Sequence, residues 1–206
     1  DINSPEDDFS PVIKGKKNEE LYFTSSRDGV LGRNKNQITG GLFTDVFMIK
    51  KPTDKKKSRK KKSSKINIVP PDWDENTLTN IEFGLADIVN LKNSEEGVLS
   101  FNKRGNKMFF TRAIFQKNKY QGRRIYSATF RGKKFRDVEM ELIPIDTLVD
   151  VHGPSVSPDE KSLYFAADIE GGFGGTDIYV CRYNRRTKSW GEPQNLGPNV
   201  NSDGNE

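Results

Sequence analysis

The chain of 206 residues has a single cysteine, Cys181, and a single histidine, His152. One thiol excludes an internal disulfide and any multi-cysteine metal site, and it leaves the compartment open. One imidazole leaves catalysis few players, because such chemistry needs a nucleophile beside a base, a carboxylate pair in a cleft or a metal cluster. Long apolar runs are missing as well. None approaches the roughly eighteen residues that read as a membrane span, so the chain reads as not membrane-spanning. The opening Asp1-Ile2-Asn3-Ser4-Pro5 is neither a signal peptide nor a transit sequence, and any export signal is expected upstream of it. Helical periodicity is absent beyond about two turns. Apolar residues come instead in short clusters between turn signals, which predicts an all-β fold.

What is present is charge. With 33% hydrophobic and 31% charged residues, the chain is polar yet within the globular range. The formal charge of +5 suggests nucleic acid, but its distribution argues otherwise. Positions 50 to 65 hold Lys50, Lys51, Lys55, Lys56, Lys57, Arg59, Lys60, Lys61, Lys62 and Lys65 against Asp54 alone, a local +9 that leaves −4 for the remainder. This is one basic tract, not a basic domain. No aromatic residues interleave with its cations to stack on bases, which excludes nucleic acid as the expected partner.

Internal repetition organises the rest. The triplets Leu21-Tyr22-Phe23, Met108-Phe109-Phe110 and Leu163-Tyr164-Phe165 are 87 and 55 positions apart, which gives a unit of 55 residues and an excess of 32 in the first copy. That excess falls between the predicted strand at Asp45–Ile49 and Phe83, and it contains the lysine tract. Each unit reads as four short strands: a Ser-Pro segment, the apolar triplet, a third strand and a fourth. The third strands are Asp45-Val46-Phe47-Met48, Arg124-Ile125-Tyr126-Ser127 and Asp177-Ile178-Tyr179-Val180, and the fourth begin at Phe83, Phe135 and Trp190. Proline lacks a donor and suits a sheet edge, while Pro158-Asp159-Glu160-Lys161 has the chemistry of a turn. Four strands per repeated unit is the pattern of β-propeller blades, and arrays of this kind bind more often than they catalyse.

The third unit spells Ser157-Pro158-Asp159, Leu163-Tyr164-Phe165, Gly171-Gly172-Phe173-Gly174-Gly175-Thr176-Asp177-Ile178-Tyr179, Trp190-Gly191-Glu192-Pro193-Gln194-Asn195-Leu196-Gly197 and Asn201-Ser202-Asp203-Gly204-Asn205-Glu206. This string resembles the TolB-like propeller repeat, in the version found in OmpA-family lipoproteins of Bacteroidetes, among them the Por-type periplasmic component of type IX secretion and gliding. The first unit matches apart from its insert, with Asn90-Leu91 set against Asn195-Leu196. The second lacks the Pro-Asp turn, the glycine loop and the tryptophan. The resemblance implies a propeller in the periplasm, associated with the outer membrane, among other proteins of an envelope complex. It implies peptidoglycan binding only through a separate OmpA-like domain. Propellers close with about four to eight blades, so three blades are expected to belong to a longer propeller. Association of two copies into a six-bladed ring is the sharper form of that expectation, since an open stack exposes apolar end faces.

Individual residues fit a framework better than a reaction centre. His152 stands at the mouth of a first strand, and Gly-x-Ser-x-Gly, the signature of a nucleophile elbow, is absent. The run Gly171–Gly175 precedes no helix and no Gly-Lys-Ser, so it reads as a tight loop and not a phosphate cradle. Asp45 and Asp177, at the foot of that loop, read as hydrogen-bonded anchors in preference to calcium ligands. Glu6, Asp7 and Asp8 read as a solvated junction, Cys181 as a buried inert thiol, and the aromatic triplets as packing between blades. No residue pattern calls for a cofactor. The basic residues Lys55, Lys56, Lys57, Arg59, Lys60, Lys61 and Lys62 are the candidate binding site, either a solvated extension or a contact to an anionic partner.

The reading is therefore a partial propeller of three four-stranded antiparallel blades: 1–93 with the insert 50–82, 94–150, and 151–206. Its expected role is a non-enzymatic protein-interaction scaffold. The alternative is an accessory propeller of a peptidase or glycan-acting hydrolase whose catalytic domain lies elsewhere.

Overall fold

The structure, a computed structural model, describes residues 4–14, 20–31, 42–50, 83–85, 89–117, 119–132 and 134–206. Every regular element among them is a strand: β1 (Asp8–Lys14), β2 (Glu20–Ser25), β3 (Asp45–Lys50), β4 (Phe83–Leu85), β5 (Ser94–Phe101), β6 (Lys107–Gln116), β7 (Lys119–Arg131), β8 (Lys134–Met140), β9 (Val151–Val156), β10 (Ser162–Ala167), β11 (Asp177–Asn184), β12 (Ser189–Trp190) and β13 (Gln194–Asn195). They make three antiparallel sheets in chain order: sheet I from β1 to β4, sheet II from β5 to β8, and sheet III from β9 to β12, with β13 also paired to β11. Within β1–β4, β5–β8 and β9–β12 consecutive strands pair, the order of an antiparallel meander. The all-β expectation holds.

The triplets occupy the same register in each sheet. Tyr22 lies opposite Met48, Phe109 opposite Ser127, and Tyr164 opposite Val180. Strand side chains alternate between faces, so an unbroken apolar triplet requires both faces to be covered. Sheet II meets that condition. Met108 and Phe110 pack with Tyr22, Val46 and Val89 of the first unit, while Phe109 and Ile125 pack with Leu163, Phe165 and Cys181 of sheet III. The edge-on contacts of Tyr22 with Phe101 and Phe135, at 5.1 and 5.8 Å between centroids, add aromatic complementarity at the first of these interfaces. Lys14 is drawn into the same interface, its Nζ 2.7 Å from Glu20 and 3.3 Å from the Phe130 ring centroid.

The first strands share an irregularity that was not read from the sequence. β1 is bulged between Phe9 and Val12, β5 between Gly97 and Leu99, and β9 between the residues facing Ala166 and Tyr164. At each bulge one residue has positive φ: Ser10 at 53°, Val98 at 38° and Gly153 at 63°. Two of these precede Pro11 and Pro154, whose missing donors are tolerated where the ladder is interrupted. At Val98 a β-branched residue occupies a conformation that favours glycine, which stores strain.

Cys181 is fully buried opposite Leu163. Burial, with the Glu192 carboxylate adding to it, pushes its thiol up to about 12. Because the thiolate is the reactive form, a disulfide-exchange reagent is expected to leave Cys181 unmodified at pH 8 until denaturant unfolds sheet III. Stoichiometric labelling within minutes in native buffer would contradict this placement.

Candidate functional site

The predicted binding residues, from Lys55 to Lys62, lie outside the described residues. The ends that flank them are described. The chain leaves sheet I at Lys50 and returns at Phe83, which lies opposite Ile49. Lys50 faces Glu20 at the start of β2, so this is the edge that bears the β1–β2 and β3–β4 connections. Glu20 receives both Lys14, at 2.7 Å, and Lys50, at 3.7 Å.

The corresponding edge is basic in the other two sheets. The β5–β6 turn presents Lys103 and Arg104, the β7–β8 turn Arg131 and Lys134, and the β11–β12 turn Arg185, Arg186 and Lys188. Asp159 and Glu160 of the β9–β10 turn lie among them, and Asp137 pairs with Arg131 at 3.3 Å. The opposite edge carries Glu6, Asp7, Asp146, Asp168, Glu170 and Asp203, together with Lys92 in the link before β5 and Lys117 and Lys119 at the β6–β7 turn. A meander places alternate connections on opposite edges, so the two edges differ in their balance of charge.

A cavity of about 260 Å³ opens where the bulged first strands meet, lined by Phe9, Glu95, Gly97, Val98, Arg123 and His152 among others. Bulges re-aim side chains, which is how residues of three sheets come to face one space. His152 is half-buried. Burial and the Arg123 guanidinium lower its pKa against the opposing pull of Asp150. Asp150 is held by the Tyr120 hydroxyl and by Arg123, whose backbone N–H and Nε donate at 3.0 and 3.2 Å. Burial acts to raise the Asp150 pKa, but these donors bring it below its ordinary value. The nearby Thr111 hydroxyl accepts from Gly153 N at 3.0 Å. No described hydroxyl or thiol donates to the His152 ring. Among the described residues, no three His, Cys, Asp or Glu side chains gather as a metal site.

The links between sheets are built from residues that were not singled out in the sequence. Asn90 accepts from Val46 N and donates to Val46 O, both at 2.9 Å, and Asn201 does the same to Ile178 at 2.9 and 3.1 Å. Asn90 is thus the counterpart of Asn201, which corrects its alignment with Asn195. Asn195 instead donates to Asp177 at 2.8 Å. A carboxylate then accepts the backbone N–H shortly after: Asp8 from Ser4 at 2.6 Å, Glu96 from Leu91 at 3.3 Å, and Glu206 from Ser202 at 3.0 Å.

Two of these carboxylates also bind an arginine, Arg27 to Asp8 at 2.6 Å and Arg112 to Glu96 at 2.7 Å. Asp8 is therefore not the solvated residue expected of it. Burial raises its pKa, but Arg27, Ser25 and Ser4 outweigh that and bring it down to about 2. The signal was available in the paired junctions Asn3-Ser4 and Asn201-Ser202, and in the arginine that follows the apolar triplet in the first two units.

The two loop aspartates anchor as expected. Asp177 accepts from Phe173 N at 2.7 Å, and Asp45 from Leu31 N at 2.6 Å. Gly174 has no room for a side chain, since a Cβ there would lie 2.4 Å from Gly204 O. Asp45 is pushed up to about 6 by burial, against the Leu31 N–H. A raised folded-state pKa means that Asp45 stabilises the fold below about pH 4 and that this contribution is lost as pH rises to 6. Asp45→Asn is therefore expected to remove about 2–3 kcal/mol of pH-dependent stability between pH 4 and 6. Urea unfolding across that range, with parallel curves for both proteins, would disprove it.

No protein-family model matches the chain, and no curated protein matches it in sequence. Among solved structures, a post-proline cleaving enzyme from Rickettsia typhi is similar at 10% identity and a TM-score of 0.40, over 98% of this chain and 23% of that one. This chain thus spans about a quarter of that enzyme's length, and a likeness of this degree carries no argument about function.

Proposed function

We propose that the chain is a stretch of β-propeller, with blades at 1–93, 94–150 and 151–206, acting as a non-enzymatic protein-interaction scaffold. The observation behind this reading is the recurrence of one unit: a four-stranded meander with a bulged first strand, joined to a neighbouring meander by apolar packing. Such units present surface on rims and edges while their interiors are used for stacking. The setting we propose is the periplasm, next to the outer membrane and in an envelope complex of the kind the TolB-like resemblance implies. We further propose that Lys55, Lys56, Lys57, Arg59, Lys60, Lys61 and Lys62 contact an anionic partner, and that two copies complete a six-bladed ring.

Cross-linking the full-length protein in envelope fractions, followed by peptide identification, is the direct test. Cross-links from these lysines to other envelope proteins are expected. Peptide or glycan hydrolysis that depends on this chain would instead support the accessory-propeller reading. Neutralising four of the lysines should weaken partner capture and flatten its salt dependence. Light scattering that returns a monomer at micromolar concentration would remove the ring of two copies.

A further inference from the structure

A depression of about 650 Å³ lies between sheets II and III on their basic edge. Lys103 and Arg104 enter it from the β5–β6 turn and Arg185 from the β11–β12 turn, so cations of two sheets face one space. None of the three has a carboxylate partner among the described residues. The other charges of the cleft are engaged. Lys107 is 2.9 Å from Glu141, Asp159 accepts from the Ser157 hydroxyl at 2.7 Å and pairs with Lys161 at 3.4 Å, and Glu160 accepts from Asn102 at 3.0 Å. The floor's accessible apolar surface comes from Pro158 and Tyr183, which lie over the nearly buried rings of Phe109 and Trp190.

We infer that this cleft is a docking site for an acidic peptide segment of a partner protein, its carboxylates on Lys103, Arg104 and Arg185 and an apolar side chain on the floor. The inference rests on the scaffold reading and names the chemistry of the partner. Guanidinium forks match carboxylates in bidentate fashion, and two of the three free cations are arginines. The floor is poorly suited to stacking on sugars or bases. Tyr183 and Trp190 meet edge to face with centroids 5.0 Å apart, the Trp190 Nε1–H is given to Glu141 at 2.7 Å, and Lys107 Nζ covers Phe109 at 4.6 Å. Rings engaged in this way offer apolar edges rather than open faces, which suits a leucine or valine better than a pyranose.

The test uses the full-length protein and a fluorescein-labelled oligoglutamate peptide with one central leucine. The triple variant Lys103→Glu, Arg104→Glu, Arg185→Glu is expected to weaken binding at least about tenfold. A matched variant, Arg131→Glu, Arg186→Glu, Lys188→Glu, changes the charge of the same edge equally but lies outside the cleft, and it should retain most of the affinity. Equal losses in the two variants would overturn the inference, because binding would then follow edge charge alone. A sulfated oligosaccharide that binds more tightly than the peptide, and is lost in the first variant, would overturn it in favour of a glycan. If that variant loses the peptide but still captures envelope partners, the scaffold reading stands and this cleft is not its partner site.

Discussion

Arg112→Ala is expected to destabilise the protein by about 3–5 kcal/mol, measured as a fall in the urea midpoint without a change in slope. Glu96 is fully buried, and Arg112 Nε donates to its Oε1 at 2.7 Å. The guanidinium also donates to Val89 O and lies 4.6 Å from the Tyr126 ring centroid, so it ties the junction backbone to sheet II. Burial pushes Glu96 up to about 7, with Ser94 and Arg112 pulling the other way. Removing the arginine leaves a buried carboxyl without its counter-charge, which then holds its proton to still higher pH. The variant's deficit should therefore be flat up to about pH 6, while Glu96 is protonated in both folded proteins, and grow as pH rises through about 7 towards 8. Replacing both partners, as Arg112→Met with Glu96→Gln, should recover part of the loss, since the uncompensated charge is then gone. A deficit below about 1 kcal/mol, independent of pH, would show that the pair is solvated.

Phe109→Ala should cost a similar amount, about 3–5 kcal/mol, by a different route. Its ring is 1% exposed and packs with Leu163, Phe165 and Ile125 between sheets II and III. In a stack of similar units the contacts between neighbours supply much of the stability. The variant is therefore expected to unfold in two steps, with sheet III separating first. Phe110, one residue along, faces the first unit instead, so Phe110→Ala should loosen the other interface. Hydrogen exchange resolves the difference: faster exchange in β10 and β11 for Phe109→Ala, and in β2 and β3 for Phe110→Ala. The same exchange pattern in both variants would contradict the assignment of faces.

These faces were legible in the sequence because an apolar triplet without polar alternation has few ways to be satisfied in a sheet. Leu21-Tyr22-Phe23, Met108-Phe109-Phe110 and Leu163-Tyr164-Phe165 fixed the repeat, and the third and fourth strands followed from it. The bulges were less visible. They depend on backbone angles at Ser10, Val98 and Gly153, three residue types with no shared signal. The asparagine brackets were hidden for a related reason: a side chain that replaces a strand's backbone bonds looks in sequence like any polar loop residue. By its neighbour Leu91, Asn90 matches Asn195 in sequence, whereas its bonds to Val46 match those of Asn201 to Ile178. The basic tract was obvious from composition, whereas the cleft of Lys103, Arg104 and Arg185 required two turns some eighty positions apart to be brought together.

The excess of cations on one edge and of carboxylates on the other has a kinetic consequence. Charges of opposite sign held apart along the strand direction give the molecule an electric dipole. A charged partner or surface exerts a torque on such a body at distances up to about 10 Å in 0.1 M salt, before any side chain touches. The encounter is thus pre-oriented, and adding salt should slow association far more than it speeds dissociation.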